Sequence, residues 1–152
     1  LVRKRLGALL AREHPLTGDL VMPFPDSGTY AALGYATARN IPFELGVIRN
    51  HYVGRTFIEP SQAIRDFGVK LKLNPVRSLI EGRRIVLVDD SIVRGTQLKN
   101  FAIKKLWDCG AREVHIRPAC PPLMFPCVFN LSTRSIHELA ARKAGQPQAR
   151  EA

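Results

Sequence analysis

Asp89 and Asp90 stand side by side at the end of an apolar run, and Ser91, Gly95 and Thr96 follow shortly after them. Two adjacent carboxylates can accept hydrogen bonds from hydroxyls or hold a hard cation such as Mg²⁺. They repel a phosphate, whereas a turn of hydroxyl residues and glycine leading into a helix offers it O–H and N–H donors. The full string is Arg84-Ile85-Val86-Leu87-Val88-Asp89-Asp90-Ser91-Ile92-Val93-Arg94-Gly95-Thr96. Its four consecutive β-favouring residues read as a buried parallel strand, and in open α/β sheets ligands bind beyond the carboxyl ends of such strands. An aspartate pair after a strand is often only a helix cap or a solvated turn. Joined to a phosphate cradle, it describes a ribose-phosphate site. A second strand–turn–helix repeats the arrangement: Leu20-Val21-Met22 runs into Pro25-Asp26-Ser27-Gly28, whose N–H groups could hold another phosphate.

The elements that must position these loops alternate. A basic amphipathic helix is expected over residues 2–12, a strand over 19–23, a helix over 29–39 and a strand over 43–49. A mobile segment is expected over 50–74, the central strand over 85–88, a helix over 97–109 and a strand over 114–117. Gly110 is a natural stop for the third helix, and Ser135-Ile136-His137-Glu138 reads as a capping box opening a short final helix. The β/α alternation predicts an α/β fold, a mostly parallel, doubly wound sheet with helices on both faces. One domain over residues 1–144 and a disordered tail over 145–152 are expected. The chain starts on Leu1 and reads as a piece of a longer polypeptide.

These motifs resemble those of the type I phosphoribosyltransferases. The 84–96 string is similar to that family's phosphoribosyl pyrophosphate (PRPP) motif, in the form found in its ammonia-using members. The 25–28 loop resembles the family's pyrophosphate loop. Ile48-Arg49-Asn50-His51-Tyr52-Val53-Gly54-Arg55-Thr56-Phe57-Ile58 resembles its flexible catalytic loop, and Lys72-Leu73-Asn74-Pro75 continues the match. The motifs run from about Leu1 to Pro122 and fade after Phe125. The resemblance implies a type I phosphoribosyltransferase fold with a lid loop. It implies PRPP binding by Asp26, Ser27, Gly28, Arg49, Asp89, Asp90, Ser91, Ile92, Val93, Arg94, Gly95 and Thr96. Catalysis would fall to Asp89, Asp90, Tyr52 and Arg55, and Mg²⁺ to Asp89 and Asp90. The implied reaction is displacement of pyrophosphate by ammonia to give 5-phosphoribosylamine, the first step of de novo purine synthesis. A cytoplasmic homo-oligomer is implied, drawing ammonia from a glutaminase domain or subunit that nothing in this chain resembles. Three departures stand out: His51 in place of Arg, Ala119-Cys120-Pro121-Pro122 in place of Ser-Ser-Pro-Pro, and the lack of Gly-Ile-Asp within 127–133.

Other classes fit less well. The formal net charge of +10 calls for polyanionic company, yet the basic residues are scattered and no nucleic-acid-binding motif is visible. Specific nucleic-acid binding is therefore not expected, and the triply phosphorylated substrate explains part of the charge. The alternative is a non-catalytic PRPP-sensing regulatory or interaction domain. No apolar run approaches the ~20 residues of a membrane span, so no membrane partner is expected. There is no GxxxxGK[ST], GxGxxG or GxSxG pattern. Cys109, Cys120 and Cys127 form no CxxC pair and read as reduced thiols. Cys127 falls where some family members place one iron–sulfur ligand, but a cluster takes about four thiolates, and none is expected.

Overall fold

A computed structural model describes residues 1–50, 73–96, 98–129, 133 and 135–144. Tyr52 and Arg55, with the rest of the expected lid over 51–72, lie outside the described residues, as does the expected tail over 145–152.

Three parallel strands carry the site. They are β1 (Leu20–Pro23), β4 (Arg84–Asp89) and β5 (Glu113–Pro118), with β4 in the middle. Met22 lies opposite Leu87, and Leu87 opposite Ile116. Because side chains alternate across a strand, Leu20, Met22, Ile85 and Leu87 pack into one core and Val21, Val86 and Val88 into another. Both faces are covered, which is why the central strand is continuously apolar.

The second core lies under α1 (Val2–Glu13) and α2 (Thr29–Arg39), which cross at glycines. A Cβ on Gly7 would sit 1.9 Å from the Ala31 carbonyl oxygen, and one on Gly34 would sit 2.0 Å from that of Lys4. The backbones touch there, so no side chain fits. The first core is closed by Leu98 and Leu106. They belong to a π-helix over Leu98–Ile103 and an α-helix over Lys104–Asp108. The single helix expected over 97–109 is thus two helices of different pitch. Gly110 follows them at φ +85°, the left-handed stop that its glycine implies.

Two other expectations change. The strand expected over 43–49 is divided between two sheets. The Val21 N–H donates to Pro42 O at 2.8 Å and the Glu44 N–H to Val21 O at 3.1 Å, so this part lies along the edge of β1. The chain then leaves at Gly46, where a Cβ would meet the Met22 terminal methyl at 2.4 Å. Only β2 (Val47–Arg49) remains as a strand, antiparallel to β3 (Leu73–Pro75). Leu73 and Asn74, placed by the sequence reading in the mobile segment, are therefore strand. A short helix α3 (Arg77–Ile80), unforeseen, drops Ile80 fully buried into the first core.

At the far end from the site, Asp19 braces the sheet. Its Oδ1 accepts from Arg84 Nη2 at 2.7 Å and its Oδ2 from the Arg84 N–H at 2.9 Å, while its own N–H donates to Arg84 O at 2.8 Å. The Arg84 guanidinium, helped by that backbone donor, holds the Asp19 carboxyl down from its ordinary 3.8 to about 2.

Candidate functional site

The two loops singled out in the sequence meet at the carboxyl ends of adjacent parallel strands. Phe24 N–H donates to Val88 O at 2.8 Å, tying the exit of β1 to the exit of β4. A Cβ on Gly28 would lie 2.5 Å from Val88 O, 2.9 Å from Phe24 O and 3.2 Å from Asp89 Cα. Glycine at 28 therefore lets the 25–28 loop press against the backbone that carries the acidic pair. The Pro25–Asp26 peptide in this loop is cis. Thr29, the first residue of α2, closes the loop with its hydroxyl donating to Asp26 O at 2.8 Å.

Arg49 reaches the same loop from β2, its Nη1 2.9 Å from Asp26 Oδ2. This pairing offsets the negative charge that Asp26 would otherwise present at the loop. The Arg49 Nε is buried and has no hydrogen-bond partner among the described residues.

Asp89 and Asp90 differ sharply. Asp89 ends β4 and is 7% exposed, whereas Asp90 lies one residue past the strand and is half-buried. Burial pushes the Asp89 carboxyl up to about 7; the Asp90 N–H, which donates to Asp89 Oδ1 at 2.8 Å, opposes this, and the Asp90 charge adds to it. A buried carboxylate pressed against a second acid gains most from a cation or hydroxyl donors alongside. Among the described residues no group of three or more His, Cys, Asp or Glu gathers to hold a metal. Two carboxylates fit Mg²⁺ of the kind that keeps waters and takes its other ligands from substrate phosphates.

The loop over 91–96 follows. The Ser91 hydroxyl lies 3.4 Å from Asp90 Oδ1. Gly95 takes φ +72°, and its carbonyl accepts from the Lys99 N–H at 2.9 Å as the next helix begins. The Arg94 guanidinium, implied for PRPP binding, is turned to Glu138, with Nε 2.7 Å from Oε2. Opposite the loop, Ala119 N–H donates to Asp89 O at 2.9 Å. Cys120 follows it, its thiol raised by burial and by the Asp90 charge. Thus the Ala119-Cys120 departure lies on the wall of the acidic pair.

The structure brings Asp26, Ser27, Gly28, Arg49, Asp89, Asp90 and the described part of the second loop to one edge of the sheet. Tyr52 and Arg55 lie outside the described residues. Sequence reasoning missed Glu138, which it assigned to a capping box. Ser135 does cap a 3₁₀ turn (Ile136–Glu138), accepting from the His137 N–H at 3.3 Å, but the Glu138 carboxylate goes to Arg94 instead.

No family model matches the chain. It is 52% identical over 149 residues to the chloroplastic amidophosphoribosyltransferase of Glycine max, which covers 98% of the chain and 26% of that protein. It is 55% identical over 139 residues to the amidophosphoribosyltransferase of Pyrococcus horikoshii, covering 91% of the chain and 30% of that protein. Among solved structures it matches the glutamine PRPP amidotransferase of B. subtilis, complexed with ADP and GMP. That match has a TM-score of 0.72 and 53% identity, over 82% of this chain and 27% of the other. The chain therefore spans between about a quarter and three tenths of these relatives' length. With 149 residues aligned, the likeness carries well past Phe125, where the motifs fade.

Proposed function

Because this chain is homologous, over nearly its whole length, to a segment of amidophosphoribosyltransferase, we propose that it is the phosphoribosyltransferase part of such an enzyme, which displaces pyrophosphate from PRPP with ammonia to give 5-phosphoribosylamine. The observation that carries the reading is the contact of Gly28 with Val88 and Asp89. It supports the reading because it keeps the 25–28 loop beside the acidic pair, as a ribose bearing phosphoryl groups at both ends requires.

In this reading the loop over 91–96 grips the 5-phosphate, and that remote binding energy aligns the reacting centre. Asp89 and Asp90 accept from the ribose hydroxyls and offset positive charge that develops on the ring as the leaving group departs. Backbone donors of Asp26 and Ser27, with the Arg49 guanidinium, stabilise the departing pyrophosphate, while the Gly28 N–H is held by Phe24 O. Mg²⁺ at Asp89 and Asp90 would supply further charge neutralisation on the phosphate oxygens. Tyr52 and Arg55 keep the catalytic roles that the resemblance assigns them. This being the start of purine synthesis, ammonia would come from a glutaminase domain or subunit. The exposed apolar side chains of Phe125, Val128 and Phe129, 70%, 90% and 80% accessible, support burial against a further domain or a second copy in a homo-oligomer.

Among the described residues no helix is long and apolar enough to cross a membrane. The three free cysteines support a thiol-reducing compartment such as the cytoplasm. Pyrophosphate release from Mg²⁺-PRPP, followed with and without ammonia, tests the function. Ammonia-dependent release is expected; release indifferent to ammonia, or none at all, would overturn it.

A further inference from the structure

We propose that Glu138 is a positioning residue for the phosphate loop, acting through Arg94, an inference that rests on the function proposed above. The segment over 135–144 lies against the 91–96 loop and meets it at Val93, Arg94 and Gly95. The Ala140 N–H donates to Val93 O at 2.8 Å. The Glu138 carboxylate takes two donors of Arg94, Nε at 2.7 Å and Nη2 at 2.5 Å. Between them Leu139 is fully buried, anchoring the segment in the protein. Gly95 lies against the same place, its Cβ position 3.7 Å from Ala140 Cβ and 3.8 Å from Ile92 Cγ2.

The direction of the first bond matters. The Val93–Arg94 peptide is trans, so its C=O and N–H point opposite ways. With Val93 O tied to Ala140, the Arg94 N–H points away from the 135–144 segment. The left-handed Gly95 that follows turns the next N–H groups into the kind of concavity that binds anions. The Arg94 side chain meanwhile leaves the anion site and serves as a strut. Arg94 thus contributes its main chain to the phosphate and its guanidinium to Glu138. The ordering of the N–H cradle depends on a carboxylate 44 residues away in sequence.

The test compares the whole unaltered chain with Glu138→Ala and Glu138→Gln, and with the charge-exchanged pair Arg94→Glu/Glu138→Arg. Mg²⁺-PRPP binding is followed by calorimetry, and ammonia-dependent turnover is followed alongside. Glu138→Ala should raise KM for PRPP about tenfold, the scale of one charge-assisted hydrogen bond, with kcat changed less than about twofold. Glu138→Gln, which keeps the shape and one acceptor, should fall between, and the exchanged pair should recover part of the affinity. Should the alanine variant fail to fold, the isosteric glutamine variant carries the comparison. Equal PRPP affinity in the unaltered chain and both single variants overturns the positioning role and leaves the function standing. A fall in kcat and melting temperature with no change in KM marks a merely stabilising contact and overturns it too. Absence of PRPP binding by the unaltered chain removes the function and this inference together.

Discussion

An added methyl at Gly28 would stand 2.5 Å from Val88 O and 3.2 Å from Asp89 Cα, so Gly28→Ala must push the 25–28 loop off the end of β4. Such overpacking costs about 1–3 kcal/mol of stability, measurable in urea titrations. Mg²⁺-PRPP affinity should fall as well, since the loop and the acidic pair would no longer share one frame; unchanged affinity would mean that the loops act separately. Replacing Asp89 and Asp90 together with Asn should weaken Mg²⁺-PRPP by at least about 2 kcal/mol, as expected from loss of charge-assisted hydrogen bonds. Calorimetry showing the affinity intact would remove both from ribose and metal binding. The sequence displayed these acids but not their difference. Whether β4 stops at Val88 or runs on to Asp89 decides which one is buried, and an apolar pattern ends where the carboxylates begin. The destination of the Arg94 side chain was equally hidden, because its partner lies in a segment whose own signal, Ser135 and Glu138 three residues apart, matched a local cap.

The helix pair α1–α2 depends on bare backbone at the crossing. Gly34→Ala brings a methyl within 2.0 Å of Lys4 O, contact with main chain that cannot rotate away. A loss of about 1–3 kcal/mol is expected, seen in thermal unfolding as a lowering of roughly 2–4 °C per kcal/mol for a domain of this size. A midpoint equal to that of the unaltered chain would show that the helices can part at little cost. At the opposite end of the sheet the Asp19–Arg84 brace should make stability depend on acid. The Asp19 carboxyl is held down at about 2 in the folded chain, against an ordinary 3.8. Its contribution is therefore complete above the ordinary value and is lost as pH falls through about 2. Asp19→Asn should flatten that part of the stability profile; an unchanged slope would assign it to other carboxylates. Apolar patterning was enough to locate α1, β1, α2, β4 and β5, most plainly β1, buried throughout, and β4, buried from Ile85 onward. It was not enough for residues 43–49, because periodicity marks an extended segment without naming its partner. Here Gly46 moves the chain from one sheet to another.

Across the whole molecule, a net charge of +10 should produce DNA binding of a weak, non-specific kind. Its affinity should fall steeply between about 50 and 200 mM salt, as counterion release requires. Binding that selects a sequence and survives about 200 mM salt would favour the regulatory alternative instead. The doubly wound architecture was legible because alternation of strand and helix leaves few topologies to choose from. The clasp over 135–144 was not, since it is built from contacts between distant parts of the chain. The contact at Gly28 has one more consequence. With backbone resting on backbone, the 25–28 loop cannot slide without shifting the end of β4, so, if the two loops are the phosphate sites proposed above, their spacing behaves as a gauge. A ligand would be chosen by the distance between its two anionic ends before any hydroxyl is inspected. Shorter or longer bisphosphates, however well charged, would span the jaws badly.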